Sequence, residues 1–475
     1  MSERPRLSTA TLRRASANVA LPSYDRTDLV PGIVHFGPGA FHRAHQAAYV
    51  DAILADDPRW AISAVALNST DVADALTPQD GLYTLALLGE DTRYRVIGAI
   101  SEFLTRCDGD AIANRLAAPS TRLVTATVTE KGYCLTAEGG LDVDHPAIRN
   151  DLSGAGPTSL IGRLVDGLSR RRAANAGGLT ILSCDNLAAN GERLARAVGD
   201  FATIAEPDLA RWIADTVRFP SSMVDSITPA TDDALRTRVA AATGLDDAWP
   251  IQRETFTQWV IEDDFHGQAP PFASAGAQIV ASVAAFEDAK LRLLNGAHSS
   301  LAYIGLLLGH ETVADAMADE DLAGFVERIM REDIAPSLNP TAGLDVPRYI
   351  DAILARFRNS AVRHLLSQIA WDGSQKLPFR LIATIADART ADRPVDRLAI
   401  PIAAWCRFLA LPRPPAPPLV DPLSATLRPL ADDVNALIQR SGVFPDRLAR
   451  DVVFRGAVAQ AHAKMDDERA VRAIL

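Results

Sequence analysis

Cysteine is scarce: only Cys107, Cys134, Cys184 and Cys406 occur in 475 residues, and no two form a C-x-x-C pair. Such spacing excludes a disulfide framework and a thiolate zinc site, and buried, reduced thiols are expected. Long apolar runs are also missing. The most apolar stretch, residues 293–309, contains Asn295, His298, Ser299 and Ser300. It falls short of the ~20 apolar residues that cross a bilayer and reads as a buried core helix. Positive charge is in deficit, with 48 Lys and Arg against 59 Asp and Glu and a net charge of -11. No general basic field exists for nucleic acid or an anionic membrane, so neither is expected as a partner. Residues 1–26 hold no continuous apolar stretch for a secretory leader, and a cytoplasmic location is expected. The nine histidines form no H-E-x-x-H, and none of the seven tyrosines is followed by lysine in a Y-x-x-x-K spacing. Zinc alcohol dehydrogenase and short-chain dehydrogenase chemistry are thereby set aside, and no metal is expected.

The hydrophobic share, 48% of 475 residues, suffices for two or three separately cored domains. Through the first half, short β-branched runs at 33–36, 61–67, 123–128, 179–183 and 223–227 alternate with longer amphipathic segments. That is the pattern of βαβ units and a largely parallel sheet. After about Ala281 the texture turns helical, at 286–308, from Thr312 through Met317 and at 346–357. The expected fold class is α/β, a Rossmann-type domain over residues 1–281 followed by a mostly α-helical domain over 282–475. The proline-rich run 411–418 is expected to be a loop.

The apolar run 33–36 enters Gly37-Pro38-Gly39-Ala40-Phe41-His42-Arg43, and a segment through Asp51 reads as helix. In such a strand-turn-helix unit the first glycine permits a tight turn and the second admits a pyrophosphate to the backbone. Free N–H groups at the helix start then hold it. Here His42 takes the place of the usual third glycine, so a tight turn in some other α/β protein stays open. His42 and His45 fit phosphate contact or helix packing better than a metal. At the end of the second strand Asn68 stands where a carboxylate would grip the adenosine ribose. An amide can bond the 2'-hydroxyl without repelling a 2'-phosphate, so NAD is expected, with NADP as the weaker alternative.

Residues 286–298 begin charged and end inside the most apolar helix. At about 100° per residue, Glu287, Lys290, Asn295 and His298 fall within an arc of roughly 140° and can face one cavity. Burying a lysine, an amide and an imidazole on a core helix requires partners for each. A solvated Lys290 with His298 bonded to a carbonyl is the plainer alternative. Lysine acid/base chemistry is the reading that gives the cluster a task, with partial burial lowering the ammonium pKa from ~10.4.

The segments GPGAFHRAHQAAYVD, TVTEKGY, SCDNLAANG, FPSSMVDSITP, QWVIEDDF and KLRLLNGAH, in this order, resemble successive blocks of the mannitol dehydrogenase family of polyol and hexuronate oxidoreductases. The resemblance covers nearly the whole chain. It implies Lys290 as the catalytic acid/base, Asn295 and Asn186 as an oxyanion-orienting pair and His298 as a catalytic and substrate-holding residue. Val224, Asp225 and Lys376 become substrate contacts, and Gly37, Pro38, Gly39, Ala40, Phe41, His42, Arg43 and Asn68 the cofactor contacts. The implied reaction is reversible, metal-free hydride transfer between NAD and a mannitol-like sugar alcohol, giving a ketose such as fructose. A fructuronate-type hexuronate reductase is the alternative, and an inactive sugar- or nucleotide-binding protein a remoter one. A small-molecule substrate is the expected partner, in a monomer or weak oligomer. Ser226 departs from the family's usual Val-Asp-Arg, so another group must do what that arginine does.

Overall fold

A computed structural model describes residues 4–136, 138–339, 341, 343–412 and 417–475. The chain divides into two compact units, Met1–Ala284 and Ala285–Leu475.

Among the described residues the first unit is built on twelve strands: β1 (Pro31–Phe36), β2 (Ala61–Ala66), β3 (Tyr83–Leu88), β4 (Arg93–Ile97), β5 (Ile100–Thr105), β6 (Leu123–Ala126), β7 (Leu179–Ser183), β8 (Val217–Arg218), β9 (Ser222–Asp225), β10 (Ile251–Glu254), β11 (Gln258–Glu262) and β12 (Gln278–Val280). Six of them form one sheet in the order β5-β2-β1-β6-β7-β8. Every pairing in it is parallel. Counted along these six strands, the order is 3-2-1-4-5-6, the doubly wound Rossmann arrangement whose direction of winding reverses beside β1.

Alternation along each strand divides the apolar side chains between two cores. Ile33, Ile62 and Ala64 pack on one face with Ala47, Val50 and Ile53 of the helix Gln46–Ile53. Val34, Phe36, Val65, Val124 and Ile181 pack on the other with Leu164, Leu168 and Val198. A sheet covered on both faces explains why its strands read as continuous apolar runs.

Two features of this unit differ from the sequence expectation. The segment after the glycine turn is two helices, Ala40–Ala44 and Gln46–Ile53, parted at His45 (φ -112°, ψ -87°), whose ring Nε2 lies 2.9 Å from the Gln258 carbonyl. Two three-stranded sheets also stand beside the Rossmann sheet, and both contain antiparallel pairs, β3 with β4 and β9 with β11.

The second unit is helical. Val346–Phe357 spans the range its periodicity marks. The core stretch is less regular: helix Ala284–Ala289 passes into a π-helical turn, Lys290–Leu294, and then into helix Asn295–Leu307. Another π turn, Pro378–Ile382, follows the short helix Gly373–Leu377. Of the proline-rich run, residues 413–416 lie outside the described residues. Cys134, Cys184 and Cys406 are buried thiols, whereas Cys107 is exposed, contrary to expectation. No helix among the described residues is long and apolar enough to cross a membrane.

Candidate active site

In the first unit the glycine turn, Asn68 and Asn186 lie beyond the carboxyl ends of the parallel strands β1, β2 and β7. Gly37 closes β1 at φ +89°, and a Cβ there would meet the Thr127 carbonyl oxygen at 2.3 Å, so only glycine fits. At Gly39 a Cβ would meet nothing nearer than the Gly37 oxygen at 3.9 Å. The backbone is therefore open where the helix Ala40–Ala44 presents its first N–H groups, which lack intrahelical acceptors. This is a fit for a dinucleotide pyrophosphate, approached through main-chain N–H groups.

The side chains of His42 and Arg43, by contrast, turn inward, each 1% exposed. The His42 ring stacks on His35 with centroids 3.3 Å apart, and burial pushes its pKa well below the ordinary imidazole value. Arg43 donates through Nη1 to the Trp249 carbonyl at 2.9 Å and lies over the Tyr83 and Trp249 rings. These positions offer a ligand backbone rather than side chain.

Asn68 is exposed just past the end of β2. Sequence reasoning missed its neighbour: Arg106, past the end of β5, donates through Nη1 to the Asn68 carbonyl at 3.2 Å. The two are far apart in sequence and meet only because β5 pairs with β2.

Asn186 is exposed beyond β7, on a loop tied down by its neighbour Asp185. The Asp185 carboxylate accepts the N–H groups of Val128 and Thr129, both at 2.9 Å, and the Tyr133 hydroxyl at 2.7 Å. Those bonds hold Thr129 at φ +67°, a conformation that a β-branched residue adopts only under constraint. They also explain why the blocks TVTEKGY and SCDN occur together: one supplies the donors and the other the acceptor. Val224 and Asp225 close β9, both buried. At the next position Ser226 Oγ donates to the Phe256 carbonyl at 3.0 Å, and Arg253 Nη1 donates to the same carbonyl at 3.4 Å. A buried guanidinium from β10 thus stands beside the position where the arginine of the sequence block is missing.

In the second unit Lys290 opens the π turn and is only 9% exposed. Arg292 leaves that turn in another direction, donating to Asp288 and Asp387. His298, 7% exposed, lies 4.4 Å from Phe357 and 5.1 Å from His364 between ring centroids. Its Nε2 has no hydrogen-bond partner among the described residues. Burial, reinforced by His364, Arg356 and Arg380, holds it neutral. Asn295 is half-buried between them in sequence.

Lys376 reaches this neighbourhood through close packing. At Gly373 a Cβ would stand 2.4 Å from the Tyr303 hydroxyl, so glycine lets the helix Gly373–Leu377 lie against the core helix. Asp421 fixes it there, accepting from Ser374 N at 2.8 Å and Oγ at 2.6 Å. Among the described residues no group of three or more His, Cys, Asp or Glu side chains is placed to hold a metal ion.

A Rossmann unit with an open glycine turn, followed by a helical unit carrying a buried lysine, defines a class of two-domain α/β oxidoreductases. The comparisons narrow that class. Residues 31–274 match the mannitol dehydrogenase Rossmann domain and residues 282–466 the mannitol dehydrogenase C-terminal domain. The chain is 39% identical to the D-mannonate oxidoreductase of Escherichia coli over 96% of its own length and 97% of that protein's. A D-sorbitol dehydrogenase in substrate-free form superposes with a TM-score of 0.93 at 33% identity, covering 99% of this chain and 100% of that one. The mannitol 2-dehydrogenase of Pseudomonas fluorescens, in a ternary complex with NAD and D-mannitol, superposes at 0.82 and 34% identity, covering 99% and 98%. The chain belongs to the mannitol dehydrogenase family of oxidoreductases.

Proposed function

We propose that the protein is an NAD-dependent, metal-free dehydrogenase of an open-chain, six-carbon polyhydroxy substrate, with Lys290 as its acid/base. The observation that carries this reading is Lys290 itself, an ionisable side chain 9% exposed on a π turn that leads directly to Asn295 and His298. A single π turn inside an otherwise regular helix is a frequent mark of a functional position. The solved relative with NAD and mannitol supports the choice of cofactor, as do the open backbone at Gly39 and the strand order.

Bound NAD supplies the hydride acceptor. The chain's own groups do the rest. Ala40 to His42 would hold the pyrophosphate through backbone N–H groups, the Arg43 N–H being taken by the Gly39 carbonyl, and Asn68 would hold the ribose. Lys290, neutral in the oxidation direction, accepts the hydroxyl proton at Nζ, and in the reverse direction its ammonium returns it. Asn186 and Asn295 donate hydrogen bonds to the oxygen as it gains alkoxide character. His298, kept neutral by burial, donates to or accepts from a substrate hydroxyl, and Val224, Asp225 and Lys376 complete the substrate contacts. The test is nicotinamide absorbance with NAD against a panel of hexitols, hexonates and their keto forms. Turnover of none of them overturns the proposal.

A further inference from the structure

Asp185, which immediately precedes Asn186, is pinned through all of its polar groups. Its backbone N–H donates to Ser183 Oγ at 3.4 Å, and its carbonyl accepts the Leu187 N–H at 2.9 Å and Asn190 Nδ2 at 3.0 Å. Asn190 is fully buried and is itself fastened to β9, donating to the Ser222 carbonyl at 2.8 Å and accepting the Ser222 N–H at 2.9 Å. The Asp185 carboxylate reaches the other way, to the loop after β6, where Val128 N–H, Thr129 N–H and the Tyr133 hydroxyl all donate to it. That loop is in turn bonded to the glycine turn, since Thr127 Oγ1 donates to the Gly37 carbonyl at 2.7 Å. A short run of chain and hydrogen bonds thus leads from Gly37 through Thr127 and Thr129 to Asp185, and Asn186 follows by one peptide.

One member of this run is strained. Thr129 stands at φ +67°, ψ 162°, a region essentially reserved for glycine, where a branched side chain persists only when its surroundings over-determine it. The determining contact is the carboxylate, whose two oxygens take the N–H groups of the successive residues Val128 and Thr129, each at 2.9 Å. A loop that only had to leave β6 could take glycine here at no steric cost and need no acid to hold it. The loop lies where its conformation matters: β6 is the neighbour of β1 on the side where the winding of the sheet reverses, the point at which doubly wound sheets bind their ligands.

We propose that Asp185 is a positioning residue: by holding Thr129 in this conformation, its carboxylate fixes Asn186 relative to the turn that receives the cofactor. The inference rests on the reading of Asn186 as a hydrogen-bond donor to the reacting oxygen, and it gives Asp185 no contact with substrate and no proton to transfer. An asparagine at 185 has one accepting oxygen and one donating amide, so it can satisfy Val128 or Thr129 but not both. Thr129 is then free to return to negative φ, and Asn186 moves with the released clamp. Glycine at 129 reaches the same backbone conformation without the clamp, so Thr129→Gly should undo the damage done by Asp185→Asn.

The experiment measures NAD-dependent turnover of D-mannitol and D-mannonate, NADH binding by fluorescence titration, and thermal midpoints. Wild type, Asp185→Asn, Thr129→Gly and the double variant are compared. Asp185→Asn is expected to lower kcat about ten- to a hundredfold while KM and the NADH Kd move by less than about threefold, since a misplaced donor costs rate rather than binding. The double variant should regain most of the lost kcat, a rescue that a general loss of stability would not give. Near-parent kcat in Asp185→Asn overturns the inference, as does a loss shared equally by kcat and NADH affinity, or a double variant no faster than Asp185→Asn. Should Asp185→Asn not fold by itself, the double variant decides: near-parent kcat supports the clamp, and a slow or unfolded protein overturns it. Wild type that turns over no hexitol or hexonate sinks the proposed function instead. The clamp is then judged on the midpoints: Asp185→Asn should cost less in the Thr129→Gly background than in wild type, and equal costs overturn it.

Discussion

The backbone N–H of Asn295 donates to the carbonyl of Lys290, five residues earlier, as well as to that of Leu291. In a regular α-helix residues five apart point about 140° from one another. The π register instead stacks them, so Lys290 and Asn295 share a side of the helix. Inserting one alanine after Leu291 should carry the lysine about 100° further around the helix from Asn295. The expected result is retained helical content by circular dichroism with kcat reduced at least about a hundredfold. Full activity in the insertion variant would show that the register has no catalytic value.

Lys290→Ala removes the proposed proton carrier and should depress kcat by ~10² to 10⁴-fold. NADH affinity should hardly change, because the backbone that receives the pyrophosphate lies at Gly37 to Arg43 in the other unit. Polyol or hexonate oxidation by the parent enzyme should rise with pH through one ionisation that the variant lacks, and a small external amine should recover part of the rate. Near-parent kcat with an unchanged pH profile would transfer the role to His298.

Cofactor choice is expected to turn on Asn68 and Arg106. The uncharged amide and the neighbouring guanidinium leave room for a 2'-phosphate, so measurable NADP turnover is expected beside NAD. Asn68→Asp should raise the NAD-to-NADP ratio of kcat/KM roughly tenfold, equivalent to ~1.4 kcal/mol, and Arg106→Ala should shift it the same way. If both ratios stay at the parent value, the ribose lies elsewhere.

Acid should destabilise the fold through its buried imidazoles. Burial lowers the pKa of His35 to about 3 and pushes His42 and His298 well below the ordinary value of 6.5. Below that value the unfolded chain takes up protons that the folded chain refuses, so stability is whole above pH ~6.5 and falls as pH drops through it. Each such histidine contributes up to about 1.4 kcal/mol per pH unit. Urea midpoints measured between pH 7.5 and 5 should show the decline, and His298→Phe should flatten it. An identical slope in that variant would mean that its ring is not excluded from protonation.

Exhaustive chelation should leave turnover intact, because the proposed proton carrier is a lysine and, among the described residues, no trio of ligand side chains converges. Activity lost with chelator and regained with zinc would replace the lysine mechanism by a metal-assisted one.

The Rossmann strands and the helix Val346–Phe357 were legible because burial imposes a periodicity on the residues themselves. The glycine turn was legible for a related reason: a left-handed Gly37 and a bare Gly39 are local demands of the chain. The cluster Lys290, Asn295 and His298 could be listed from its spacing, but its geometry was drawn on an α-helix that is not there. A π turn differs from its neighbours by one hydrogen-bond register, and the turns Lys290–Leu294 and Pro378–Ile382 carry no composition that announces it. The same limit applies to the charges. Arg106 meets Asn68 through strand pairing, and Arg253 meets Ser226 at a shared carbonyl. Arg380 meets Ser299 because Gly296 admits its backbone. Residue identity alone set which local conformations the chain could take. Which distant cations stand beside the proposed chemistry was decided by packing, since an electrostatic neighbour is defined by a few ångströms of space and not by position along the chain.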